Sequence, residues 1–233
     1  MSCDHHSNHN HTHEHSHEHC HDGQDFTGLF ITLEGVDGSG KSTQALRLAQ
    51  MLESEGFEVL MLREPGGTHI SEAIRCLLLD PANKDMEDEC ELLLYEAARA
   101  QLTREKIIPA LLQGKIVICD RYYDSTYAYQ AGARGLDTDF VRQANEMGSI
   151  GVIPDITLLF DIDPESAYQR AVAQQGPDRL EGEGKVFQQK VRQAYLDLAK
   201  IEDERIFCLD ATGDIEEVSS RVDSIIKPYL MLD

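Results

Sequence analysis

From Leu29 onward the chain alternates between short apolar blocks and longer stretches in which apolar residues recur every three or four positions. The blocks predict β-strands at Leu29–Glu34, Glu58–Leu62, Ile116–Asp120, Ile156–Asp161 and Arg205–Leu209. Between them, the 3.6-residue period predicts helices that begin near Lys41, His69, Glu87, Phe140, Pro164, Lys185 and Asp214. Gly56 and Gly114 stand at the ends of two helical stretches just before strands, where a left-handed residue commonly closes a helix. Blocks such as Ile116-Val117-Ile118-Cys119 are apolar without alternation, the pattern of a strand buried on both faces. Strand and helix in regular succession give an α/β fold, a five-stranded parallel sheet with helices on both faces.

The pattern does not extend to the N-terminus. Of the 10 histidines, all but His69 lie between His5 and His21, among Asn, Ser, Thr and Glu. A segment with so few apolar residues cannot offset the entropy of ordering, so residues 1–25 are expected to form a flexible tail and residues 26–233 one folded domain. His11, His13, His15, His17, His19 and His21 alternate with other residues, without zinc-finger spacing. Such imidazoles suit loosely held Zn²⁺ or Ni²⁺. A purification tag or a solubilising extension would explain them without metal.

Length and charge narrow the function. A chain of 233 residues with 41% hydrophobic positions can bury a full core. A net charge of −21 argues against a nucleic-acid partner, which needs a basic face. Apolar runs as short as Ile156–Phe160 fall far below a bilayer span, so no membrane partner is expected. Six cysteines without a CxxC pair, and no secretory signal pattern, fit a reduced cytoplasmic protein. Cys119 and Cys208 sit in strand blocks and read as small hydrophobes.

The chemistry begins after the first strand. Gly35-Val36-Asp37-Gly38-Ser39-Gly40-Lys41-Ser42 fits G-x-x-x-x-G-K-[ST], and Thr43 follows it into the helix. Glycines let backbone N–H groups curl around phosphate oxygens, and the helix start adds positive potential. Lys41 would reach the β- and γ-phosphates, and the Ser42 hydroxyl would hold Mg²⁺. Asp120, ending the third strand block, is placed to reach the same ion, usually through water. A GTPase should also carry N-K-x-D, but Asn83-Lys84-Asp85-Met86 has Met at the required Asp.

Two further runs follow strand ends, at the edge where open α/β sheets bind ligands. They are Arg63-Glu64-Pro65-Gly66-Gly67-Thr68 and Asp120-Arg121-Tyr122-Tyr123-Asp124-Ser125-Thr126. The planar fork of Arg121 suits a phosphate. Tyr95 and Arg99 share one helix face at i and i+4, an arrangement that can stack on a base and donate to its edge. Ordinary packing with a solvated arginine would look the same.

The loop GVDGSGKST, the REPGGT run, YEAARAQ, DRYYDST-x-AYQ and DRLE at Asp178–Glu181 together resemble thymidylate kinases, in order and spacing, over residues 28–230. The resemblance implies phosphoryl transfer from ATP to dTMP with Mg²⁺, in a homodimer. It implies that Arg63 and Arg121 hold the dTMP phosphate, that Tyr95 stacks on thymine, and that Arg99 donates to its O4. Asp37 would meet the 3′-hydroxyl or the surroundings of the acceptor phosphate. Ser125, Thr126, Tyr129 and Gln130 would line base and sugar, with Tyr129 crowding a 2′-hydroxyl. Residues 170–185 would form a lid over ATP.

One departure from the family stands out. Its catalytic arginine lies in the phosphate loop or in the lid, and the loop position here holds Gly38. Arg170 and Arg179 are both candidates. A metallochaperone GTPase, or a metal-storage protein built on the same loop, is the rival reading that the histidine tract raises. The missing N-K-x-D and the presence of REPGGT oppose it.

Overall fold

The structure is a computed structural model and describes residues 26–172, 179–180 and 183–230. The histidine tract and residues 173–178 and 181–182 of the expected lid lie outside the described residues. The elements run β1 (Leu29–Glu34), α1 (Lys41–Ser54), β2 (Val59–Arg63), α2 (His69–Leu79), α3 (Asp88–Leu102), α4 (Ile108–Leu112) and β3 (Ile116–Asp120). They continue as α5 (Tyr123–Thr126), α6 (Thr138–Ser149), β4 (Ile156–Asp161), α7 (Pro164–Val172), α8 (Lys185–Ile201), β5 (Ile206–Asp210) and α9 (Ile215–Leu230).

The five strands are all parallel, in the order β2-β3-β1-β4-β5. Both faces are covered. On β1 and β3, Ile31, Leu33, Ile116 and Ile118 enter one apolar cluster with α1, α8 and α9. Phe30, Val117 and Cys119 enter another, with Leu102, Ile107 and Leu111. This double burial is why the strand blocks are continuously apolar.

Three of the predicted strands match, while β2 and β5 sit one residue later than expected. α6 starts at Thr138 instead of Phe140, because the Asp137 side chain accepts from Phe140 N–H and caps the helix two residues earlier. The helical stretch expected to end at Gly114 is broken into α3, Thr103–Ile107 and α4, and helical structure at Tyr123–Arg134 was not anticipated. Both places hold a wide π-helical turn, Thr103–Ile107 and Tyr127–Arg134, which breaks the 3.6-residue period. Cys119 is buried as expected, but Cys208 is exposed, since β5 is an edge strand with an open outer side. Gly56 and Gly114 close α1 and α4 with φ of 93° and 75°.

The chain leaves β1 toward β2 and leaves β3 toward β4, so the two loops part in opposite directions. The crevice this opens lies at the carboxyl ends of β1 and β3, where Leu33 pairs with Asp120. Among the described residues, no helix is long and apolar enough to cross a membrane.

Candidate active site

The loop between β1 and α1 wraps tightly. Gly35 has φ 137°, and a Cβ there would lie 2.6 Å from the Phe160 carbonyl oxygen, so only glycine fits. No side chain caps α1 at Gly40, which leaves its first N–H groups for a ligand. Lys41 folds back across the loop and donates to Val36 O at 2.8 Å and to Ser39 Oγ at 3.3 Å. Burial, with Arg121 nearby, pushes its amine down to about 8, against the pull of Asp37, Asp120 and Glu34. A phosphate entering the loop would push the amine back up. The Ser42 hydroxyl donates to Asp120 Oδ2 at 2.5 Å, so a hydroxyl and a carboxylate converge beside the loop. Hard oxygen donors of this kind fit Mg²⁺, which takes its remaining ligands from water and phosphates.

Arg121 follows β3 with φ 70°, an unusual conformation for a residue with a side chain. It is held there because its N–H donates to Leu33 O at 3.0 Å, while the next amide, Tyr122 N–H, donates to Glu34 Oε1 at 2.7 Å. The turned backbone aims the guanidinium across the crevice. Nη2 donates to Asp37 Oδ1 at 2.5 Å, and Nη1 to Ser125 Oγ and the Tyr195 hydroxyl, both at 3.2 Å. Burial tends to raise the Asp37 carboxyl, but Arg121 and Lys41 outweigh it and hold Asp37 below the usual range. Tyr129 places its ring under the guanidinium at 5.3 Å and its hydroxyl 3.3 Å from Asp37 Oδ2.

Beneath this group lies Glu34, which is fully buried. It accepts from Ser125 Oγ at 2.6 Å and from the Tyr195 hydroxyl at 2.8 Å. Burial, and then the charge of Asp124, lifts its carboxyl to about 7, while Arg121, Ser125 and Tyr195 pull it down. Glu34 was not singled out in the sequence. Yet it ends an apolar strand block, the same signal that marked Asp120. Tyr195 and Arg75 carried no local signal. Tyr195 arrives from α8, and Arg75 from α2, where its Nη1 donates to Pro65 O at 2.9 Å.

Toward β2, Arg63 donates to both oxygens of Glu72 at 3.0 Å and to Pro65 O at 3.0 Å. The Arg63–Glu72 pair is half exposed, so an anion could displace it at small cost. Arg99 differs, being about 1% exposed. Its Nε donates to Glu64 Oε2 at 2.7 Å, Nη1 to Glu96 and to Asn145 Oδ1, and Nη2 to Thr126 Oγ1 at 2.9 Å. Burial alone would favour discharging it. Glu64 and Glu96 more than offset that and hold Arg99 above the ordinary guanidinium range. Four of its five N–H groups are committed, which leaves one on Nη2.

One cavity of about 910 Å³ joins these parts. Its wall includes residues 37–43 of the loop together with Arg63, Tyr95, Arg99, Asp120, Arg121, Ser125, Thr126, Tyr129 and Gln130. Of the two arginines that the sequence offered for a lid, Arg170 lines it, anchored by Nη1 to Ala211 O at 3.1 Å. Arg179 is placed elsewhere, with Nε donating to Leu78 O at 2.8 Å and Nη2 ion-paired to Glu91 at 2.6 Å. Gly35 and Val36 shape the loop from behind the cavity wall. Ala211, Gly213, Asp214 and Ile215 form a wall beyond Lys41 that the sequence did not reveal.

The chain is similar to known proteins over most of its length. Residues 33–222 match the family model described as thymidylate kinase. A thymidylate kinase of Desulfosudis oleivorans is 49% identical over 201 residues, 83% of this chain and 94% of that protein. One of Syntrophotalea carbinolica is 51% identical over 199 residues, 83% of this chain and 92% of that protein. The crystal structure of thymidylate kinase from Ehrlichia chaffeensis superposes with a TM-score of 0.69 at 36% identity, covering 86% of this chain and 98% of that one. The chain belongs to the thymidylate kinase family.

Proposed function

We propose that this chain transfers the γ-phosphoryl group of ATP to dTMP, giving dTDP and ADP, with its two substrates meeting end to end in the single cavity. The observation that carries this reading is that cavity, which puts a phosphate loop at one end and the Tyr95, Arg99 and Gln130 cluster at the other, with Arg121 between.

The loop amides and Lys41 bind the ATP phosphates, and the wall at residues 211–215 faces the ATP nucleoside. Ser42 and Asp120 would hold Mg²⁺, which supplies charge neutralisation at the phosphate oxygens. Arg121 and Arg63 take the acceptor phosphate, each releasing a carboxylate partner as it does so. Asp37 and Tyr129 stand beside the deoxyribose, Tyr95 stacks on the base, and Thr126, Gln130 and the remaining Arg99 N–H meet the base edge. Ser125 steadies Arg121. Little covalent work falls to the protein, because the transition state is loose and needs alignment and positive charge. Arg170 is the lid arginine that the geometry favours for that charge. Arg179 serves to dock the lid segment.

A coupled assay with dTMP, dUMP, dCMP, AMP and GMP as acceptors tests the assignment. Turnover should be greatest with dTMP and require ATP and Mg²⁺. A purine monophosphate used as well as dTMP refutes it. The homodimer and the cytoplasmic setting are part of the same proposal. So is Zn²⁺ or Ni²⁺ binding by His11, His13, His15, His17, His19 and His21. Among the described residues, no cluster of His, Cys, Asp or Glu would hold such an ion. Deleting residues 1–24 should remove metal binding in calorimetry while kcat stays within about twofold. Metal stoichiometry retained after truncation would place the site elsewhere.

A further inference from the structure

At the base end of the cavity lies a carboxylate that the roles above leave unused. Glu91 sits in the first turn of α3 and is fully buried. Its Oε1 accepts from Gln130 Nε2 at 2.7 Å and from Arg134 Nε at 3.3 Å. Its Oε2 accepts from Arg134 Nη2 at 3.0 Å and meets Arg179 Nη2 at 2.6 Å. Burial tends to neutralise Glu91, but Arg134, Gln130 and Arg179 outweigh it and hold the carboxyl below its ordinary range.

An ionised carboxylate accepts hydrogen bonds and donates none. The Gln130 amide can therefore meet Glu91 only through its NH₂ group. An amide is often free to turn over, but this one is not. With its NH₂ committed to Glu91, the carbonyl oxygen is the amide atom left to meet a ligand in the cavity that Gln130 lines. Across the same space, the Glu64 and Glu96 carboxylates fix Arg99, which has only donors to offer. The base end thus presents a donor beside an acceptor. Thymine and uracil carry the complement, the O4 acceptor next to the N3–H donor. Cytosine carries the reverse, an amino donor at C4 next to the N3 acceptor, and meets like groups at both points.

We propose that Glu91 is a specificity-determining positioning residue, which locks the Gln130 amide with its carbonyl toward the base so that the site takes a 4-oxopyrimidine and rejects cytosine. This rests on the reading that Gln130 faces the acceptor base. A buried site with wrongly paired polar groups discriminates strongly, because the mismatch leaves donors or acceptors without partners.

The test is Glu91→Gln, with dissociation constants and kcat/KM for dTMP, dUMP and dCMP. The two short arginine contacts, Arg134 Nη2 at 3.0 Å and Arg179 Nη2 at 2.6 Å, fall on Oε2, while Oε1 meets only the longer Arg134 Nε contact at 3.3 Å besides Gln130, so the new amide should keep its oxygen at Oε2 and turn its NH₂ toward Gln130. Gln130 must then turn over and show the base a donor. The dTMP to dCMP preference should fall at least tenfold while the dTMP to dUMP preference stays unchanged, since those two bases share the O4 and N3–H edge. A merely structural role would weaken all three nucleotides alike, and a preference ratio unchanged within threefold in a folded variant overturns the proposal. If Glu91→Gln does not fold, Glu91→Asp keeps the charge but shortens the reach, which unlocks the amide without inverting it, so a fall of at least threefold in the same ratio is expected and an unchanged ratio overturns the proposal. Gln130→Met separates the two levels of the argument. An altered ratio there with no change in the Glu91 variants removes the Glu91 role alone, whereas no change in either removes Gln130 from the base. On the wild-type protein, N3-methylated dTMP should bind at least tenfold more weakly than dTMP. Equal binding shows that no acceptor faces N3.

Discussion

Replacing Arg121 with alanine isolates the acceptor clamp, because the backbone at that position costs the same for both residues. At φ 70° any residue with a Cβ carries a strain of about 1 kcal/mol, so Arg→Ala leaves it in place, whereas Arg→Gly would relieve it and confound the result. The side chain makes three hydrogen bonds, one of them to a charged group. Turned onto a phosphate, its fork would make two charge-assisted bonds of about 1.5–3 kcal/mol each. Asp37 is 34% exposed, so water recovers part of that on deletion. A net loss of about 3 kcal/mol remains, roughly 150-fold in kcat/KM for dTMP. Because the Arg121–Asp37 pair is only partly buried, stability should fall by no more than about 1–2 kcal/mol, leaving a folded protein to assay. The measurement is steady-state kinetics in an ADP-coupled assay, alongside thermal unfolding of both proteins. A folded variant with kcat/KM within tenfold of wild type would show that Arg121 does not hold the transferring or acceptor phosphate.

Lys41→Met should do opposite things to activity and stability. The folded pKa of about 8 lies below the unfolded value of 10.5, so the charge opposes folding fully below pH 8, by about 3 kcal/mol, and not at all above 10.5. The variant should lose at least 100-fold in kcat yet melt higher at pH 7 without nucleotide, and a lower melting temperature contradicts the buried-charge argument. Burial raises both Glu96 and Glu64, the latter to about 8, against the pull of Arg99, so Arg99→Met should cost about 3–5 kcal/mol in urea unfolding at pH 9, where the carboxyls lose their cation while ionised, and less at pH 6. A cost under about 1 kcal/mol at pH 9 would mean that these carboxyls fold protonated even there. Arg170→Ala should lower kcat with little change in the KM for dTMP, since a transition-state contact is lost, whereas Arg179→Ala should act mainly on stability. The reverse pattern would exchange the two roles.

What the sequence determined by itself is what depends on neighbours along the chain. Continuous apolar blocks specified buried parallel strands, because both faces of each strand must be covered. The phosphate loop was legible because its geometry is set within eight consecutive residues by glycine φ angles and one lysine. Motifs such as REPGGT and DRYYDST could be placed at strand ends, and family likeness gave them roles. Tertiary structure decided everything that joins distant segments. The sequence showed Arg99 as half of an i, i+4 pair, but not that Glu64, Glu96, Asn145 and Thr126 would enclose it. It offered Arg170 and Arg179 as equals, and only the packing of Arg179 on Leu78 and Glu91 separated them. It gave no sign of Tyr195, which lies 70 residues from Ser125 and reaches Arg121 only because α8 packs against the Tyr127–Arg134 turn. Local pattern records which face of an element is buried. It does not record which polar groups meet across that face, and in this protein those meetings hold Arg99, Arg121 and Gln130 in the site.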